Sequence, residues 1–553
     1  MRTGGQLIID CLEAQGLERV FCVPGESYLA VLDALHDSAI QTIVTRHESG
    51  AAMMAEADGK LTGRPGVCMV TRGPGATNAA AGVHVARQDS TPMLLFIGQI
   101  GRHMKGREVF QEADYRQTFR DLAKWVEEID QAARIPEIVS HAFHVAMSGR
   151  PGPVVLALPE DMLAEAADVA AGPRVEVAEP APTARAVAEF GERLRAARNP
   201  LLILGGSRWD AAAVAEVHDF AGRWGLPAAT SFRRQQLFDH LHPNFAGDIG
   251  LAINPVLRER VAASDLVILL GGRFSEKPSQ NFSLFAIPKP RQPLIHIHPG
   301  AEELGRIYVP DLAINATPGA FLAAVRALEA PKPSPFTAAA GEAHAAYLDW
   351  SGTPPERPGR EGTVSMGAVI RRLRELLPDD AVMTNGAGNN TLWLHRFWRH
   401  RRFATQLAPV SGSMGYGLPA AVAAKLRDPA RDVICLAGDG CFQMTGQEFA
   451  TAVQYGAAVI VLVADNGMHG TIRMHQERAF PGRVCGSTLV NPDFAVLARA
   501  YGGHGETVEH IDAFLPAFAR AKASGKPAIL HIRTDPEDIS PSATLSGMRS
   551  AGR

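Results

Sequence analysis

The 553-residue sequence has few cysteines and no long apolar run. Its six cysteines, Cys11, Cys22, Cys68, Cys435, Cys441 and Cys485, form no CxxC pair. Several lie in apolar, strand-like segments, where a reduced core thiol is the natural reading. No uninterrupted apolar stretch approaches the roughly 18 residues that suggest a membrane span. The first nine residues carry one arginine and only a short apolar patch, which is not the pattern of a secretory signal. A formal net charge of −3 gives no reason to expect nucleic acid or an acidic membrane surface as partner. A cytoplasmic protein acting on small molecules is expected.

What is present is ordinary for a large globular protein: 46% apolar and 20% charged residues. At roughly 150 residues per domain, the length suggests three or four domains. Two proline-rich stretches read as extended, solvated linkers, one around Asp168–Val187 and one around Ala330–Thr363. They separate blocks at 1–168, 186–330 and 362–538, with a tail at 539–553. Each block alternates short β-branched runs with longer helical patterns. The runs are Ile40–Thr45, Gly66–Thr71, Met93–Gly98 and Pro153–Leu158, then Pro200–Leu204, Leu266–Leu270 and Leu294–Ile297, then Ala381–Thr384, Asp432–Leu436, Ala458–Ala464 and Ala528–Ile532. Such alternation predicts an α/β protein of three domains, each a parallel sheet flanked by helices.

In the third block a predicted strand, Val433–Ala437, runs into Gly438-Asp439-Gly440. A helix and a second strand follow, the latter ending in Asp465-Asn466-Gly467. Both strands belong to one βαβ unit, so their ends emerge on the C-terminal edge, where open α/β sheets bind ligands. Asp439 and Asn466 could there offer one carboxylate and one amide oxygen to a hard cation shared with a phosphate. The glycines let backbone N–H groups approach a diphosphate closely. The bland alternative is a turn, for which Gly-Asp-Gly is equally suitable.

This spacing resembles the thiamine-diphosphate motif. The resemblance implies that Asp439, Asn466 and the main chain of Met468 ligate Mg²⁺, and that Gly438, Gly440, His469 and Gly470 line the diphosphate. In the first block, Arg46-His47-Glu48 with Gly50-Ala51-Ala52 precedes Gly73-Pro74-Gly75-Ala76-Thr77-Asn78. This pair resembles the pyrimidine-binding domain of the acetolactate synthase family. Further matching segments are Asp89–Met93, Phe110-Gln111-Glu112, Gly149–Pro153 and Ser413–Ala421. The resemblance covers nearly the whole chain and implies the three domains are pyrimidine-binding, central Rossmann-like and diphosphate-binding.

By the same resemblance, Glu48 hydrogen-bonds the coenzyme's aminopyrimidine and so activates its thiazolium carbon, with Pro74, Gly75 and Asn78 nearby. A carboxyl in an apolar setting can share a proton near neutral pH. Taken alone, Glu48 equally fits a helix N-terminus, favoured by charge–dipole attraction. Met414, between Gly412-Ser413 and Gly415, is implied as the apolar wedge that bends the coenzyme; taken alone it is core filler. The family joins domains of two subunits around one coenzyme, so a homodimer is the implied minimum and a tetramer is expected.

The sequence also departs from the family. Glu26-Ser27 follow Pro24-Gly25 where acetolactate synthases have small residues. Glu26 fits either a proton relay or a turn carboxylate satisfied by backbone. His475 stands where those enzymes place a tryptophan, and His475 and His469 fit either the pocket or a solvated helix face. Gln111 matches a glutamine near the substrate. In the central block Gly205-Gly206-Ser207 and Gly271-Gly272-Arg273 lack GxGxxG, so FAD stays a possibility that is not adopted. The implied activity is decarboxylation of a 2-oxo acid and ligation of the remaining fragment to a second carbonyl. Alternatives are a decarboxylase or C–C lyase releasing an aldehyde, and a non-catalytic paralogue.

Overall fold

The computed structural model describes residues 1–355, 357 and 359–551. Glu356 and Pro358 of the second expected linker, and the last two residues of the expected tail, lie outside the described residues. Three six-stranded parallel sheets, each flanked by helices, form the architecture the alternating pattern predicts.

The first sheet contains β1 (Arg19–Cys22), β2 (Gln41–Val44), β3 (Gly66–Val70), β4 (Met93–Gln99), β5 (Trp125–Glu128) and β6 (Pro153–Pro159), in spatial order β2-β1-β3-β4-β6-β5. The second contains β7 (Pro200–Leu204), β8 (Ala228–Ser231), β9 (Phe245–Ile249), β10 (Leu266–Leu270), β11 (Leu294–His298) and β12 (Leu312–Asn315), in order β9-β8-β7-β10-β11-β12. The third contains β13 (Val382–Asn385), β14 (Gln406–Leu407), β15 (Val433–Gly438), β16 (Ile460–Asp465), β17 (His504–Val508) and β18 (Ala528–Arg533), in order β14-β13-β15-β16-β18-β17. The first and third sheets therefore share one winding. Its direction reverses between β1 and β3, and between β13 and β15. At such reversals neighbouring loops diverge and leave a crevice at the strands' C-terminal ends.

The chain forms two compact units. The first comprises Met1–Ala178, Pro409–Pro429 and Gln443–Ala457. Its central helix, Glu48–Thr62, buries every residue from Gly50 to Gly59. Small side chains permit this: a Cβ on Gly82 of helix Pro74–Asp89 would lie 2.4 Å from the Ala52 Cβ. A buried ionic cluster ties the same helix to helix Gly417–Arg427. Glu56 accepts from Thr91 (2.6 Å) and from the Tyr416 hydroxyl (2.5 Å), Lys60 pairs with Glu56 and Asp89, and Arg427 pairs with Asp58. Buried charges are tolerated only when paired and hydrogen-bonded, so this cluster fixes which helices meet.

The second unit comprises Glu179–Ala408, Ala430–Phe442 and Ala458–Arg553 and holds the second and third sheets. Here one expectation fails. The stretch around Ala330–Thr363 is not extended throughout, because Thr337–Trp350 is an α-helix. Between its proline-rich ends, TAAAGEAHAAYLDW places Ala340, Ala343 and Tyr347 on one buried face, against β9. The Tyr347 hydroxyl also bonds the His240 ring at 2.9 Å. Flanking prolines masked an apolar spacing that periodicity alone would have found.

Several histidines in this unit are buried. His218 is held down to about 4 by burial and by neighbouring His242, and its Nε2 accepts the Asp239 N–H at 3.1 Å. The depressed value means its stabilising contribution is complete above the unfolded value near 6.5 and is lost as pH falls toward 4. We predict that His218→Gln narrows the fall in Tm between pH 7 and pH 4.5, by an amount corresponding to on the order of 1 kcal/mol. Thermal melts of both proteins across that range check it; parallel curves would contradict it.

Candidate active site

In the second unit, β15 ends at Gly438 and Asp439 follows, while β16 ends at Asp465 and Asn466 follows. The strands are paired in register, Gly438 beside Ala464, so the two loops start side by side. Asp439 is buried, and its carboxylate reaches across: one oxygen accepts the Gly440 N–H (2.8 Å), the other the Gly467 N–H (2.9 Å). Asn466 folds back, its side-chain oxygen accepting the Met468 N–H at 3.2 Å. Asp439, Asn466 and Met468 are thus brought into one small loop cluster. Among the described residues no group of three His, Cys, Asp or Glu side chains could hold a metal. The donors present are instead a carboxylate, an amide and main-chain carbonyls, a hard-oxygen set suited to Mg²⁺ completed by phosphate oxygens.

Asn491, His531 and Arg533, unread from the sequence, support these loops from behind. Asn491 Nδ2 bridges the carboxylates of Asp439 (2.8 Å) and Asp465 (2.7 Å). Asp465 also accepts from His531 Nε2 and Arg533 Nη1, each at 2.8 Å. The consequences differ for the two acids. Burial pushes the Asp439 carboxyl up to about 6. For Asp465 burial acts in the same direction but is outweighed by the hydrogen bonds from His531, Asn491 and Gly467, which bring it down to about 2. Asp465 is thus the fixed anion and Asp439 the acid whose charge a cation would settle. One sequence signal for these residues existed: His531 interrupts the otherwise apolar run Ala528–Ile532.

The surroundings fit a diphosphate. A Cβ on Gly440 would lie 2.7 Å from the His469 ring, so a larger residue there would displace that ring. A Cβ on Gly438 would lie 3.3 Å from Asn390 Oδ1, and the same amide's buried Nδ2 has no hydrogen-bond partner. Such an orphaned donor beside a glycine turn is what an anionic group would satisfy. His469 is half-buried, Gly470 opens helix Gly470–Ala479, and His475 is exposed on that helix.

In the first unit, Glu48 is the first residue of helix Glu48–Thr62, and the preceding His47 caps it, its Nδ1 accepting from the Ser49 N–H. Glu48 accepts from Asn78 Nδ2 at 3.0 Å, and a Cβ on Gly75 would lie 3.4 Å from its other oxygen. Pro74 starts the helix that carries Asn78. Gln111, in left-handed conformation (φ 65°), packs on Gly73, whose N–H donates to the Tyr115 hydroxyl. Gly412 and Gly415 are left-handed turns on either side of the half-exposed Ser413 and Met414. Glu26 is largely exposed and pairs with Arg72 at 2.9 Å, which makes it more than a backbone-satisfied turn residue.

Sequence reading also missed Glu448. Fully buried, it accepts the Arg46 N–H through both oxygens (3.2 Å each) and the Thr451 hydroxyl at 2.7 Å. It thereby fixes the chain two residues before Glu48. A Cβ on Gly50 would lie 2.4 Å from its oxygen, which accounts for the glycine there. Burial raises its carboxyl above the ordinary range.

In the central sheet, Gly205, Gly206 and Gly271 serve close packing. A Cβ on Gly206 would strike the Gly271 carbonyl at 1.7 Å, and Trp209 and Arg234 donate to the carbonyls of Gly205 and Gly206.

Fold and loops together define an α/β enzyme that takes a diphosphate-bearing coenzyme with a divalent metal. Three family models cover the chain in order: the thiamine pyrophosphate enzyme N-terminal TPP binding domain over residues 2–118, the central domain over 187–325, and the C-terminal TPP binding domain over 386–532. The acetolactate synthase isozyme 2 large subunit of Escherichia coli (strain K12) is 31% identical over 536 residues, 96% of this chain and 95% of the relative. The acetolactate synthase of Mycobacterium bovis is 32% identical over 534 residues, 94% and 86% respectively. The acetolactate synthase large subunit of Lactococcus lactis is 32% identical over 517 residues, 90% and 87%. The chain belongs to the thiamine pyrophosphate enzyme family, in its acetolactate-synthase-like branch. Thiamine diphosphate is its coenzyme, and Mg²⁺ is the usual partner metal of the family.

Removing the Glu448 acceptor should loosen the turn that presents Glu48. We predict that Glu448→Ala costs about 2–3 kcal/mol of stability, the penalty of leaving buried donors unsatisfied. Glu448→Gln, which keeps an acceptor oxygen, should recover part of it. Urea unfolding of the three proteins measures this; an Ala variant as stable as wild type would refute the role.

Proposed function

We propose that this enzyme decarboxylates a 2-oxo acid such as pyruvate and joins the remaining fragment to a second carbonyl, giving a 2-hydroxy ketone or acetohydroxy acid. The coenzyme supplies an electron sink for the carbon that loses CO₂. The chain's residues bind, orient and move protons. Asp439, Asn466 and the Met468 carbonyl would hold Mg²⁺, and Gly438, Gly440, His469 and Gly470 would lie along the diphosphate. Glu48 would hydrogen-bond the aminopyrimidine and exchange a proton with it, with Asn78 fixing one of its oxygens and Glu448 holding the Arg46 backbone two residues before it. Pro74 and Gly75 shape the floor beside it, and Met414 would press the coenzyme into its bent form. Gln111, Glu26 and His475 would face the substrate. Orientation of this kind can lower a barrier by several kcal/mol.

The observation that carries the proposal is the Asp439 carboxylate reaching the loop that begins at Asn466, in a chain of which 96% aligns with an acetolactate synthase large subunit. We further propose a homodimer as the minimum working unit and a tetramer as the expected one. Exposed Ile472, Phe480, Val484 and Val490 in the second unit, and Phe110 in the first, are apolar side chains that such assembly would cover. The six free thiols, five of them buried, suit a reducing compartment, and we place the enzyme in the cytoplasm. No helix among the described residues is long and apolar enough to cross a membrane.

Two measurements test the proposal. The holoenzyme given pyruvate, alone and with 2-oxobutyrate, should yield ligated products by mass spectrometry, and chelation of divalent metal should abolish them; acetaldehyde as sole product would refute carboligation. Glu48→Gln should lower kcat by roughly 10²–10⁴-fold, the usual weight of a positioned proton-transfer group, with an unchanged melting curve. Full activity in that variant would remove Glu48 from its role.

A further inference from the structure

The segment Ser487–Asn491 runs beside the proposed metal loop as a short antiparallel ladder. The Leu489 N–H donates to the Gly467 carbonyl at 2.8 Å, the His469 N–H donates to the Ser487 carbonyl at 2.9 Å, and Met468 pairs with Thr488. The ladder carries Asn491 to the gap between two strand ends, where Asp439 follows β15 and Asp465 closes β16. Just beyond, Asp493 caps helix Phe494–Ala500 by accepting from the Ala495 and Val496 N–H groups, so the chain is held on both sides of Asn491.

Two acids meet at that gap. Asp439 Oδ2 and Asp465 Oδ1 accept from the same two donors, the Gly467 N–H (2.9 and 3.0 Å) and Asn491 Nδ2 (2.8 and 2.7 Å). Both oxygens therefore face one amide nitrogen and cannot lie further apart than its two bonds end to end. Asp465 Oδ2 accepts from His531 Nε2 and Arg533 Nη1, so donors meet all of the roughly four lone-pair sites of that carboxylate. Facing carboxylates repel unless something positive stands between them. Here it is the N–H face of an amide, close to the distance of about 2.3–2.6 Å at which oxygen holds a calcium-sized ion.

We propose that Asn491 is a positioning residue whose amide fills a cation's place between Asp439 and Asp465 and so limits the loop cluster to a single divalent ion. The inference rests on the metal reading above and deepens it. Asn491 and Gly467 together occupy Asp439 Oδ2, so this oxygen is turned to the protein and away from a metal held with Asn466 and the Met468 carbonyl. Asp465, met by donors on both oxygens, is kept as a support of the loop while its neighbour Asn466 serves as ligand. One carboxylate contact suits Mg²⁺, which keeps waters and phosphate oxygens in its octahedral shell, whereas Ca²⁺ takes more oxygens and accepts carboxylates through both of theirs. Without the amide, two anionic oxygens would flank an open place that a cation of that size fits.

The test counts the Ca²⁺ bound per chain by equilibrium dialysis of the full-length protein saturated with thiamine diphosphate. Wild type should hold about one ion, and Asn491→Ala about two, the second bridged to the first by the Asp439 carboxylate as in two-metal sites. Asn491→Ser, which also removes the amide, is measured alongside and guards against a folding failure of the alanine variant. The double variant Asn491→Ala/Asp465→Asn, with one of the facing anions neutralised, should return to about one ion. A merely structural asparagine would weaken binding or stability without adding an ion. A count that stays at one when the amide is removed, or a second ion that persists in the double variant, overturns the role of Asn491 while leaving the metal site standing. Wild-type protein that binds no divalent ion with its coenzyme overturns both.

Discussion

The Asp439 carboxylate is buried at the end of a parallel strand, and the surrounding loops are organised by what that burial requires. A carboxylate removed from water must be met by donors or it takes up a proton. Here it is met by the amides of Gly440 and Gly467 and by Asn491, which brings the Asn466 loop alongside. Asn491 in turn needs Asp465, and Asp465 needs His531 and Arg533 on the next strand. A web anchored on three strands and one loop thus fixes two residues proposed to share a metal. This arrangement is preorganisation: the ordering cost is met in folding and not when coenzyme arrives.

The first sheet repeats the winding of the third and puts it to a different use. Where the third places Asp439 at its reversal, the first places the Glu26–Arg72 pair, with Glu48 one strand further out. The same crevice geometry presents an acid for a cation in one case and an acid paired to a guanidinium in the other. The distinction lies in the partner and not in the carboxylate. Glu448 extends the theme, since a buried acid there binds backbone and so aims another acid, Glu48, that its own side chain does not touch.

Much of this was legible beforehand. Short β-branched runs alternating with helical patterns can bury both faces only as parallel sheets, so eleven predicted strands recur in the structure; weaker ones, such as Trp125–Glu128 and His504–Val508, were missed because partly exposed strands carry polar residues. Glycine spacing also marked the loops, because a Cβ at Gly75 or Gly440 would intrude on Thr71 or His469. The helix at Thr337–Trp350 escaped notice because its prolines lie outside it and its apolar face is made of alanine and one tyrosine.

The sequence by itself determined the class of fold, the family and the residues proposed for chemistry, because strand periodicity, turn glycines and ordered motifs are local properties of the chain. Only tertiary structure decided which groups hold those residues: Asn491 and His531 for Asp439 and Asp465, Glu448 for the turn before Glu48, Arg72 for Glu26. These partners are separated by 26 to 402 positions in the chain. A hydrogen bond acts over about 3 Å of space and leaves no mark on spacing along the chain.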